Sequence, residues 1–95
     1  MPTIEPVFVV EPTYAPDAAE RREPIRPQHL ARVEELTRQG RLLVAGAYAD
    51  MSASLLVLRV EDEAAAVALV HEDVYWREGV WTDVAVRRLN RVVVD

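Results

Sequence analysis

Arg26-Pro27-Gln28-His29-Leu30-Ala31-Arg32-Val33-Glu34-Glu35-Leu36-Thr37-Arg38-Gln39-Gly40, followed at once by Arg41-Leu42-Leu43-Val44-Ala45-Gly46, is the stretch on which the fold turns. Its first part is punctuated as a helix. Pro27 suits the first helical position, where its missing N–H costs nothing. Arg26 precedes a proline, is pushed away from the helical region, and is expected outside. Gly40 suits the left-handed position just past the last turn. At about 100° per residue, Leu30, Val33, Leu36 and Thr37 share one stripe, and Arg32, Glu34, Glu35, Arg38 and Gln39 lie on the other side. His29 falls inside the apolar stripe, between Val33 and Leu36, so an ionisable ring is expected to point inward within the first turn.

The rest of the chain arranges itself around that helix. Ile4 to Val10 reads as a strand, with Pro6 placing its start at an edge or bulge. Arg41–Ala47 is a second strand and Ala53–Glu61 a third. Asp62 is a good N-cap for a helix from Glu63 to about His71, whose alanines favour helix and allow close approach to a sheet. Residues 73 to 79 make a short turn. Trp81 to Leu89 is a fourth strand, which Asn90–Val94 either extends or continues as a swap onto a neighbour. The order β-α-β-β-α-β places both helices on one face of an antiparallel sheet, an α+β fold. Leu42 to Ala45 and Leu55 to Leu58 are apolar on both faces, whereas a half-exposed strand alternates. Two helices cover one face only. The expectation is therefore a twofold homodimer with sheets packed face to face.

Ninety-five residues make a single domain, 1–95. A chain of this size buries only about 60% of its unfolded surface, so association would help it. The net charge of −5 argues against nucleic acid and anionic membranes as partners. Without cysteine there is no disulfide, thiolate metal site or cysteine nucleophile. All eleven basic residues are Arg, which removes lysine Schiff-base chemistry. Pro2, Glu5 and Pro6 interrupt the only early apolar run, so no signal peptide is expected. No apolar run approaches the roughly 18–20 residues of a membrane span, and a cytoplasmic protein is the expectation. All six prolines lie in the first 27 residues. Glu11 to Pro24 thus reads as a stiff, charged connection. It is either a solvated loop with a turn of helix at Asp17–Arg21, or a flap over the His29 end supplying Tyr14, Arg21 or Arg22.

Arg26-Pro27-x-His29-Leu30-Ala31-Arg32, then Gly40-Arg41-Leu42-Leu43-x-Ala45-Gly46, and later Asp73-Val74-Tyr75-Trp76-Arg77-Glu78-Gly79-Val80, resemble the signature of the YciI-like (YCII-related) family. The resemblance runs over residues 4 to 91. It implies a ferredoxin-like fold assembled into a dimeric α+β barrel, related to muconolactone isomerase. It also implies a pocket holding a His and an Asp, which here are His29 and Asp73. A family-level precedent is a dehydrochlorinase acting on a chlorinated aromatic. Val74 and Ala47 stand where prolines often follow the aspartate and the glycine, and the segment Tyr48 to Ser54 is shorter than usual.

The site chemistry has two readings at each position. His29 alone is either a core histidine satisfied by backbone or a base. The helix N-terminus disfavours an imidazolium, and a carboxylate on the other ring nitrogen would fix the tautomer. With the resemblance, a His29–Asp73 pair is the better reading. Asp73 by itself also reads as a turn residue bonding its own backbone. His71 reads as a surface residue at a helix C-terminus. A metal held by His29, His71 and Asp73 lacks ligand spacing, so no metal is expected. Tyr75, Trp76 and Trp81 put half of the six aromatics beside Asp73, as core packing or as the wall of a pocket for a small ring. Arg26 is a candidate anion contact at the helix start. No phosphate loop, nucleophile elbow or dinucleotide fingerprint appears. The expected activity is a cofactor-free lyase (dehydrochlorinase) or isomerase acting on a small cyclic or aromatic-derived anion, with His29 as acid/base and Asp73 orienting it. The competing reading is a non-catalytic dimeric ligand-binding or regulatory module.

Overall fold

The structure, a computed structural model, describes residues 1–94. Its elements are β1 (Thr3–Tyr14), α1 (Ala18–Arg21), α2 (Arg26–Arg38), β2 (Leu42–Ala47), β3 (Ser54–Leu58), α3 (Glu63–His71), α4 (Val74–Arg77) and β4 (Trp81–Val93). The four strands form one antiparallel sheet in the order β2-β3-β1-β4. This is the ferredoxin-like α+β arrangement.

Local chemistry sets the helix ends. The Asp62 carboxylate accepts the Ala65 N–H at 2.8 Å and caps α3. At the end of α2, Gly40 takes φ +75°, and the Gly40 and Arg41 N–H groups donate to the carbonyls of Thr37 and Leu36, each at 3.0 Å. These are the paired bonds of a Schellman stop, and only glycine enters it without strain.

Alternation along the strands sorts the sheet into two faces. Phe8, Val10, Tyr14, Leu42, Leu56 and Leu58 point to the helices and pack with Ala66, Leu69 and Val70 of α3 and Val74 and Tyr75 of α4. The register pairs Val7 with Leu89, Val9 with both Val57 and Arg87, and Val44 with Val57 on the opposite face. No helix covers that face. Val44 and Leu89 are 51% and 46% exposed on it. Glu5 joins it too, accepting from Arg59 at 3.0 Å and from Arg91 at 3.1 Å.

Several boundaries differ from expectation, each for a local reason. β1 runs on to Tyr14, so Glu11 to Tyr14 is strand and not connection. Pro6 and Pro12 are tolerated because the β3 ladder covers only Phe8 to Val10; on that side β1 is unpaired at Pro6 and again at Glu11 and Pro12, before a bridge from Thr13 to Ala53 resumes the contact. Asp17–Arg21 does form the expected helical turn, held by the Arg21–Asp17 ion pair at 2.8 Å. Arg26 lies inside α2, because turns through residues 22–25 already leave Ile25 near-helical (φ −110°, ψ −3°) and Pro27 falls in the first turn. The 73–79 turn contains a helix, α4, with Asp73 as its cap. Asn90–Val93 extends β4 along β1 and does not leave the chain.

Candidate active site

The site is built where the start of α2 meets the end of α3. His29, the only buried residue of α2, is directed at the sheet from the first turn. Asp73 follows α3 in extended conformation (φ −73°, ψ 141°), and its Oδ1 accepts the Tyr75 N–H at 2.9 Å. That cap turns the carboxylate inward. His29 Nδ1 lies 2.9 Å from Asp73 Oδ1 and 3.1 Å from Oδ2. A carboxylate can only accept, so Nδ1 carries the hydrogen and Nε2 is the nitrogen left for other chemistry. Both residues are buried, at 8% and 5% exposure.

Aromatic rings hold the imidazole on its other sides. Tyr75 stacks on it at 3.7 Å between centroids and 7° between planes. Trp81 meets it edge-on at 5.4 Å. Together they pack two sides of the ring. Arg32, one helical turn after His29, donates from Nη2 to the Leu69 carbonyl at 2.8 Å, and its Nε lies 3.6 Å from Asp73 Oδ2.

On the other side of His29 is a cavity of about 130 Å³. Tyr14, Arg22, Arg26, Ser54 and Tyr75 supply its polar wall with His29, while Leu30, Val33, Leu56 and the small residues Ala45, Gly46 and Ala47 line the rest. No carboxylate lines it. A slip in register between Thr13 and Tyr14 opposite Trp81 brings Tyr14 to this wall. The Arg22 guanidinium sits 5.9 Å from the Tyr14 ring centroid. Burial pushes the Tyr75 phenol above its ordinary pKa, with Tyr14 adding to the rise and Arg22 and Arg26 opposing it. At neutral pH Tyr75 is therefore an O–H donor.

Of the residues singled out in the sequence, the structure brings together His29, Asp73, Arg26 and Tyr75. Trp76 is not at the cavity. It follows Tyr75 by about 100° around α4, so with Tyr75 inward it faces away and stacks on His71 at 4.4 Å. Trp81 touches His29 but is core and not pocket wall, its Nε1 donating to Ser54 Oγ at 3.2 Å. Of the flap residues, Tyr14 and Arg22 reach the cavity, while Arg21 is held by Asp17. Leu30, expected among the buried stripe, is 46% exposed at the cavity rim. Ser54 starts β3, is buried, and adds a hydroxyl to the cavity wall. Arg32 was grouped with the solvated face; its spacing of three from an inward His was the available signal. Among the described residues no group of His, Asp and Glu is arranged to hold a metal ion, and no helix is long and apolar enough to cross a membrane.

Comparison with known proteins gives a consistent pattern. The YCII-related domain matches residues 7–90. An uncharacterised protein of Haemophilus influenzae is 30% identical over 95 residues, covering 90% of this chain and 97% of its own. Protein YciI of Escherichia coli is 31% identical over 96 residues, covering 90% of this chain and 98% of its own. Among solved structures, the 5-chloro-2-hydroxyhydroquinone dehydrochlorinase of Burkholderia phenoliruptrix, in complex with 2,5-dihydroxybenzoquinone, superposes with a TM-score of 0.76 at 22% identity. The match covers 88% of this chain and 93% of that one.

Proposed function

The chain belongs to the YCII-related family, and from that membership and its buried His–Asp pair we propose that it is a cofactor-free enzyme for a small monocyclic anion. The observation that carries the reading is His29, held through Nδ1 by Asp73 at the base of a cavity whose charged walls among the described residues are Arg22 and Arg26. In a chain of net charge −5, a carboxylate-free cavity with two guanidiniums favours an anion. A cavity of about 130 Å³ suits one six-membered ring, since an apolar cavity of about 150 Å³ takes benzene.

In the proposed reaction His29 Nε2 removes a proton from a saturated ring carbon, which a hydroquinone presents in its keto form, and the C–H electron pair forms a new double bond as a leaving group such as chloride departs from the adjacent saturated carbon with its own pair. Isomerisation uses the same first step and returns the proton at another carbon. Asp73 stabilises the imidazolium formed, and the Tyr75 hydroxyl and Arg22 are placed to bind oxygens that gain charge. The neighbouring dehydrochlorinase acts on a chlorinated hydroquinone by its name, which supports this class of substrate here. A second copy over the open sheet face, covering Val44, Val57 and Leu89, is part of the same reading.

The test is a screen of chlorinated hydroquinones and lactones for turnover, beside calorimetry with 2,5-dihydroxybenzoquinone. The reading predicts turnover in at least one class and binding weakened by Arg22→Gln. Tight binding with no turnover across the screen would instead favour the ligand-binding module.

A further inference from the structure

The His29–Asp73 pair does not stand alone in charge. The helices and the sheet pack around it, and among the described residues the charged or titratable groups they aim at it are few. On the pocket side are Arg22, Arg26, Tyr14 and Tyr75. On the Asp73 side are Arg32 from α2 and Glu72 from the end of α3. Arg32 is the one cation there among the described residues. Its Nη2 donates to the Leu69 carbonyl at 2.8 Å and lies 3.5 Å from Glu72 Oε1, and Glu72 is largely exposed. Its Nε is buried without a partner and lies 3.6 Å from Asp73 Oδ2. A cavity of about 20 Å³ lined by Arg32, Asp73 and His29, and otherwise by apolar side chains, adjoins them. That is room for one water accepting from Nε–H and donating to Oδ2.

We propose that Arg32 is a positioning residue for the His29–Asp73 pair, whose charge keeps Asp73 a carboxylate and thereby keeps His29 Nε2 free of hydrogen at neutral pH. The inference rests on the reading of His29 as a base and explains how that base stays available. With Arg32 cationic, Asp73 anionic and His29 neutral, the three sum to zero. Without Arg32 the pair keeps a net negative charge with no cation on the Asp73 side, and with Asp73 5% exposed that charge is poorly solvated, which is unfavourable. The pair regains neutrality by taking up one proton, and there are two places for it. On the imidazole it gives an imidazolium beside a carboxylate. On the carboxylate it makes Asp73 the donor to Nδ1, which leaves the ring hydrogen on Nε2. In both states Nε2 is protonated and the base is lost. A plain structural tie between α2 and the Leu69 carbonyl would have no such consequence.

The experiment reads the ring directly in ligand-free, ¹⁵N-labelled protein at neutral pH, by long-range ¹⁵N–¹H correlation, with His71→Gln assigning the two histidines. Wild type is expected to show a protonated Nδ1 and an unprotonated Nε2. Arg32→Gln is expected to protonate Nε2, and Arg32→Lys, which keeps a cation, to restore the wild-type pattern. Glu72→Gln, which removes only the exposed partner, leaves it unchanged. With a substrate in hand, Arg32→Gln lowers kcat about 10²-fold with little change in KM, the size of a lost base. A folded Arg32→Gln whose Nε2 stays unprotonated overturns the proposal alone. If that variant does not fold, a protonated Nε2 in Arg32→Lys overturns it. A wild-type ring already protonated at Nε2 overturns the base reading and this inference with it.

Discussion

Replacing Asp73 by asparagine keeps the shape of the side chain and removes what the structure asks of it. Oδ1 accepts the Tyr75 N–H and the His29 Nδ1–H, each at 2.9 Å, while Oδ2 faces Arg32 Nε at 3.6 Å. An amide has one oxygen. Placed at Oδ1 it retains the α4 cap but turns its NH₂ toward the Arg32 N–H, donor against donor. Flipped, it satisfies Arg32 and loses both the cap and the imidazole. The cap itself is not at stake in the first orientation, because Asn and Asp cap equally well. What is lost is the negative charge on the group that accepts from His29 Nδ1–H and faces Arg32, and a hydrogen bond to a charged group is worth about 1.5–3 kcal/mol. Arg32 is 26% exposed in its side chain and keeps Glu72 and the Leu69 carbonyl, so its charge is not stranded. That holds the loss near 2 kcal/mol by the same scale. For a domain of this size the melting temperature falls by roughly 8–16 °C, at about 4–8 °C per kcal/mol. Asp73→Ala also removes the cap and loses about 1 kcal/mol more. Urea denaturation followed by circular dichroism reads both. An Asn variant within about 0.5 kcal/mol of wild type, the range of ordinary surface changes, would refute the reasoning.

Other perturbations separate the remaining parts of the account. Leu55→Glu, on the open sheet face, is expected to leave a folded chain whose light-scattering mass is the 10.7 kDa protomer and not twice that. Leu56→Glu places a charge in the core and is expected to prevent folding, as read by circular dichroism. Glu5 is held below the ordinary carboxylate pKa, first by its hydrogen bond from Arg59 and then by Arg91. Its contribution is therefore full above the ordinary range and disappears as pH falls through the lowered value. The stability difference between wild type and Glu5→Gln should shrink in acid; one that grows contradicts the assignment. Gly40→Ala forces a left-handed φ of +75° on a side chain, while its Cβ would meet Arg59 Nη1 only at 3.8 Å. Strain without a clash costs about 1–2 kcal/mol, measured by the same denaturation.

The order of elements was legible because each rests on local chemistry: Gly40 and Asp62 as stops and caps, and apolar periods of two or near four. The His29–Asp73 pair was legible for a different reason. Periodicity turned His29 inward, but nothing local links it to a residue 44 positions away; family resemblance supplied Asp73. What could not be read was orientation inside short elements. Tyr75 and Trp76 are neighbours of similar type, and only the cap at Asp73 decides that Tyr75 is the inward one. Pro12 obscured the end of β1 because its tolerance depends on a gap in pairing on the β3 side between Val10 and Thr13. Arg32 looked like a solvated helix residue, since its long side chain leaves the polar side of α2 to reach Leu69. Tyr14 and Arg22 reach the cavity as the flap reading of Glu11 to Pro24 expects, but Tyr14 does so from the end of a strand.

The most direct test is the rate with His29 replaced. On whichever chlorinated hydroquinone or lactone wild type turns over, His29→Gln is measured for kcat, and its affinity for 2,5-dihydroxybenzoquinone is measured by calorimetry. A positioned general base contributes about 10²–10⁴-fold. The account predicts a fall in kcat of that size with binding within a few-fold of wild type. A variant that keeps wild-type kcat, or one that loses only affinity, would contradict it.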